Sequence, residues 1–168
     1  MRATDYGRIA WSNDSAMCFQ GATGSAGVVY VSMVPIRKAT MITNVILHVF
    51  TAGATPTSGQ CFAALYQNGN LLSTTADQSS AWTSTGFKTM ALGSAQSVSA
   101  GYAYVAAFSN GKTPPKFSRA ISGAGGNVIN TTTFKRFAYD ATNTGRTTSM
   151  PATLGTLSDA VATRSAVS

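Results

Sequence analysis

Glutamate is absent from all 168 residues, and histidine occurs once, at His48. The only acids are the aspartates Asp5, Asp14, Asp77, Asp140 and Asp159. A glycoside-cleaving carboxylate pair would have to be drawn from them. All five stand in turn-like or arm-like contexts, where Asp bonds nearby backbone. Cysteine is equally scarce. Cys18 and Cys61 are far apart and form neither a CxxC pair nor a disulfide framework, so their pairing is open and buried free thiols are the expected state. One histidine and two separated cysteines do not build a zinc centre. Nucleophilic hydrolysis needs a nucleophile, a base and an orienting acid together. His48 lies in the most apolar segment, where a packed, hydrogen-bonded ring is the expectation. The reading is a protein that is not an enzyme and uses no cofactor or metal.

Charge is also thin, at 10% of residues against roughly 25% in average soluble proteins. Ser, Thr, Ala and Gly fill the gap, a composition that suits a surface covered by neighbours. Twelve Lys and Arg against five acids give a net charge of +7, which draws the chain toward acidic surfaces. The cations never form a run longer than two, as at Arg37-Lys38, so a nucleic-acid partner is not expected. Phe134-Lys135-Arg136-Phe137-Ala138-Tyr139 interleaves basic and aromatic residues as single-strand binders do, but a strand with one buried face explains it equally. No apolar run approaches membrane-spanning length and the first ten residues hold no signal-peptide core. A soluble chain made in a cytoplasm, with no membrane partner, is predicted.

Two glycine motifs are incomplete. Gly21 to Gly27 lacks the Lys-Ser/Thr of a phosphate loop. Gly111-Lys112-Thr113 has Ala106 where the upstream glycine belongs and is followed by Pro114-Pro115, which forbid the helix required next.

Strand-length apolar segments broken by turn clusters occupy residues 28 to 108: Val28–Val34, Met41–Phe50, Cys61–Tyr66, Leu71–Thr75, Gly86–Leu92 and Tyr102–Phe108. None has a helical period. Pro35 should end the first of them, since it cannot donate to a ladder. Both faces of Met41–Phe50 are largely apolar, which predicts a central strand. Asn68-Gly69 predicts a hairpin joining Cys61–Tyr66 to Leu71–Thr75. Gly93 to Ala95 reads as a turn before a short extended piece, Gln96 to Ser99. Further strands are expected at Phe117–Ile121 and within Asn127–Tyr139. The fold class is all-β: an antiparallel β-sandwich of jelly-roll type over residues 28–140, with an N-terminal arm over 1–27. Residues 141–168 form a C-terminal arm or a short helix near Leu157–Arg164. The chain is long enough for one core and too short for two ordinary domains.

Candidate partner contacts are the basic and aromatic residues of the arm and first turn, Arg2, Arg8, Trp11, Arg37 and Lys38. Trp82 and Tyr102 are candidate glycan contacts, with core packing as the alternative for each.

Several segments resemble, in order, a β-sandwich or jelly-roll module of virion proteins from tailed phages of actinobacteria, of the minor tail, head-fibre and capsid decoration types. They are Met41-Ile42-Thr43-Asn44-Val45 with Thr51-Ala52-Gly53, Gly59 to Tyr66, Asn68-Gly69-Asn70-Leu71-Leu72, Thr75 to Ser79, Trp82 to Lys88, Ala100 to Ala106, Thr113 to Phe117 and Thr148 to Ala152. The resemblance covers about residues 40 to 155. It implies a non-catalytic structural protein on the virion surface, made in the host bacterial cytoplasm. The implied form is a decoration protein on the major capsid shell, associated as a homo-oligomer with a trimer favoured. A minor tail protein bound to other tail proteins and a module gripping a host-surface glycan are the alternatives.

Overall fold

At Asn68 and Gly69 the backbone turns with φ of 52° and 79°. Two consecutive positive angles make the turn whose twist matches that of the strands it joins. Gln67 then faces Asn70, and the flanking strands run antiparallel from there. The computed structural model describes residues 8–12, 20–119 and 137–159, and within them ten strands form two antiparallel sheets. They are β1 Gln20–Thr23, β2 Tyr30–Ile36, β3 Thr40–Thr51, β4 Pro56–Gln67, β5 Asn70–Thr74, β6 Gly86–Val98, β7 Gly101–Gly111, β8 Lys116–Arg119, β9 Phe137–Asp140 and β10 Leu157–Asp159.

One sheet has the order β1-β8-β3-β6 and the other β10-β9-β2-β7-β4-β5. The ladders are nested: β1 pairs with β8, β2 with β7, β3 with β6 and β4 with β5. The chain therefore folds back on itself as one long hairpin rolled between two layers. The fold is an all-β sandwich, and β3 lies inside its sheet between β8 and β6.

The inter-sheet core follows from alternation along the strands. Ile42, Val45 and Val49 of β3 and Met90, Leu92 and Val98 of β6 meet Cys61, Ala63, Leu65 and Ala103 of the facing sheet. Fully burying one such aliphatic side chain contributes about 1.5–3 kcal/mol. A second core lies on the other face of the six-stranded sheet, where Val29, Val31, Tyr66, Tyr104, Ala106 and Phe108 pack under Met150.

That outer face is covered by a strap, residues 141–156. The Tyr66 hydroxyl donates to the Pro151 carbonyl at 2.7 Å. Leu71 N–H donates to Ala152 O, and Leu154 N–H to Gly69 O. The Asp140 side chain, wholly buried, accepts from Thr142 N–H, Asn143 N–H, the Asn143 amide and Gly155 N–H at 2.8–3.0 Å. Glycine is required at 155 because a Cβ there would run into Thr142 and come within 2.9 Å of Asp140 Oδ1.

Four expectations are corrected. Pro35 does not end β2 but lies inside it opposite Tyr102. Among the described residues the β9 ladder on the other side of β2 runs from Tyr30 to Ser32, and Pro35, which has no N–H to give, is tolerated in the ladder with β7. Gly93 to Ala95 is not a turn between strands but part of β6. The register there passes from Ile42 opposite Gln96 to Asn44 opposite Ala91, so the surplus residues bulge out of the ladder. The expected N-terminal arm includes β1, a sheet strand. Leu157–Asp159 is strand and not the start of a helix, paired with β9 from Leu157 opposite Asp140. The remainder of that proposed helix, and residues 120–136, lie outside the described residues.

Candidate interaction surface

Because Val45, Leu47 and Val49 turn inward, Ile46, His48 and Phe50 of β3 turn outward. Across the β3–β6 ladder Phe87 stands opposite His48, and the two rings meet edge-on with centroids 4.6 Å apart. On the other side of β3, His48 Nδ1 lies 2.7 Å from the Ser118 hydroxyl. The guanidinium carbon of Arg8 sits over the Phe87 ring, 5.3 Å from its centroid. Even so, Phe87 is 54% and Phe50 44% exposed, with Ile9 beside Arg8 at 56%. Exposed Phe side chains that adjoin one another make an apolar patch, which unlike an isolated exposed residue marks a contact surface.

The same sheet is electrostatically one-sided. The sequences of β1, β3, β6 and β8 contain no acid, while Lys88, Lys116 and Arg119 lie on them. Two described aspartates are turned into the protein as loop pins. Asp77 accepts Cys61 N–H at 3.0 Å and the Ser79 hydroxyl. Burial alone would raise the Asp77 and Asp140 carboxyls, but the hydrogen bonds each accepts outweigh it and hold both below the usual carboxylate range. Burial pushes the Cys61 thiol up, which disfavours the thiolate. Cys61 is free and buried, whereas Cys18 lies outside the described residues.

The candidate glycan contacts are not brought together. Trp82 is wholly buried, and offers no ring face to a sugar. The Asp77 pin and the Gln78 N–H to Cys61 O bond hold its loop down. A single 3-10 turn at Ala81–Thr83 then drives the indole between the sheets, T-shaped against Phe117 at 4.9 Å. Its Nε1 has no hydrogen-bond partner among the described residues. Tyr102 packs on the opposite face of the six-stranded sheet, half-buried and T-shaped to Tyr104 at 5.7 Å.

The candidate partner contacts are also split. Arg8 lies at Phe87 and Trp11 is half-buried in the same short segment. Arg37 and Lys38 are exposed in the β2–β3 turn, roughly 25 Å away along β3 at about 3.3 Å per residue. Arg2 lies outside the described residues. The sequence reading missed Phe50 and Phe87 as surface residues, since a strand apolar on both faces does not say which face meets solvent.

Among the described residues no group of three metal-ligating side chains occurs, and no helix is long and apolar enough to cross a membrane. No family model matches the chain, and no curated protein or solved structure shows significant similarity to it.

Proposed function

We propose that the protein is a non-catalytic structural component of a tailed-phage virion surface, a capsid decoration protein docked on the major capsid shell. The observation that carries this reading is the outer face of the four-stranded sheet, where Phe50 and Phe87 stand in solvent on strands without an acidic residue. Such a face favours contact area with an acidic neighbour over a reaction. The nested pairing of β1 with β8 through β4 with β5 supports a jelly-roll reading, with β9 and β10 added beside β2. Viral capsid domains use that architecture, as do lectins, so the fold alone is analogy. The motif resemblance over residues 40 to 155 favours the virion. Association as a homotrimer accords with the closed symmetry usual for such proteins.

Quantitative gel densitometry of purified particles tests the reading. Hundreds of copies per particle support decoration of the head. A handful of copies assigns the protein to the tail, and none removes it from the virion.

A further inference from the structure

We infer that the protein docks through the outer face of its four-stranded sheet, centred on Phe50 and Phe87, onto a protein surface that surrounds an apolar centre with carboxylates. The inference rests on the virion reading, which makes that surface the outside of the capsid shell.

The face is built for one kind of occupant. Its centre is apolar: Phe87 at 54% and Phe50 at 44% exposure, with Ile46 half-buried beside them. The residue opposite Phe87 is His48, and Phe50 is two positions further along the same strand, so the two Phe side chains occupy diagonal neighbouring positions on one surface. The rim is cationic. Arg8 is held against Phe87 by its guanidinium, and Lys116 is exposed on β8, next to the inward-facing Phe117. No acid on the sheet offsets them, and Asp77 and Asp140 are engaged with loop backbone elsewhere. A partner that supplies carboxylates gains at every one of these positions.

Two other occupants fit less well. A second copy docked face to face about a two-fold axis would bring the same basic patch against itself, and like charges so placed oppose association. Single-stranded nucleic acid stacks bases on open aromatic faces. The Arg8 guanidinium and the His48 ring already occupy part of the Phe87 ring surface, which leaves less of it to a stacked base.

The test is cosedimentation of the full chain with shells assembled from the major capsid protein alone. Phe87→Ser and Phe50→Ser remove exposed rings, and Lys116→Glu leaves the apolar area intact while reversing one rim charge. Each is expected to weaken binding about tenfold or more, with circular dichroism unchanged. Raised salt should weaken the wild type and narrow the gap to Lys116→Glu. Tyr102→Ala, on the other sheet, should bind as wild type. If wild type binds and all three face variants bind equally well, the docking face is wrong and the virion reading stands. If wild type does not bind the shells, both fall. Self-association lost in Phe87→Ser would assign the face to a second copy. Retention on an oligo(dT) column lost in the same variant would assign it to nucleic acid, and either result overturns the inference.

Discussion

The Asp140 carboxylate lies 2.8 Å from the backbone nitrogen of Gly155, fifteen residues further along the chain. That bond closes a loop in which one buried side chain also holds Thr142 and Asn143, and so fixes the strap over the second core. Asp140→Asn keeps the shape but removes the charge and turns an N–H toward other N–H donors. A loss of about 2–4 kcal/mol follows, read as a fall in Tm of roughly 5–12 °C in thermal unfolding.

Acid should loosen the protein in a defined direction. Asp140 and Asp77 have folded pKa values below their unfolded ones. Their contribution is therefore fully present above the unfolded value of about 3.9. It is lost as pH falls through the depressed folded values. Urea midpoints measured from pH 7 down to pH 2.5 should be flat in this respect until about pH 4 and then drop. Asp140→Asn should show a shallower acid limb.

Trp82 behaves as a core residue. Trp82→Ala should cost about 3–5 kcal/mol in urea unfolding. Trp82→Phe should cost much less, because the indole N–H has no partner to lose.

Gly69 is needed for its backbone angle, since a Cβ there meets nothing within 4 Å while φ is +79°. Gly69→Ala should therefore cost about 1–2 kcal/mol through strain alone, with no change in the surrounding packing. Comparison of urea midpoints with those of Gly59→Ala, another positive-φ glycine whose Cβ would meet nothing within 4 Å, checks that the cost is conformational.

The central hairpin was legible because Asn68-Gly69 has few other uses between two apolar runs, and β3, β4 and β7 because their apolar residues are strand-length and β-branched or aromatic. Pro35 was misread since a sequence does not show that β2 runs on past it to Ile36, paired with β7 opposite Tyr102 and Gly101. Gly93 to Ala95 carries turn composition, and only pairing with β3 shows it to be a bulge. The strap was illegible for a different reason: it is polar and Thr-rich, and its order comes from the buried Asp140 at its start and from Tyr66 and the edge of β5, both remote in sequence. Asp140 was correctly read as a residue that bonds nearby backbone, but not as one that reaches Gly155. At the surface, Trp82 was kept as a candidate glycan contact beside the core alternative, and its burial decides for the core, whereas nothing in the strand Gly86–Leu92 said on which face Phe87 stands.

Cryo-electron microscopy of a particle carrying the protein is the most direct measurement. Density for the subunit on the head shell, with the β1-β8-β3-β6 sheet turned toward the shell and Phe87 covered, is the predicted result. A subunit seated by the strap side, or particles that lack the protein altogether, contradicts it.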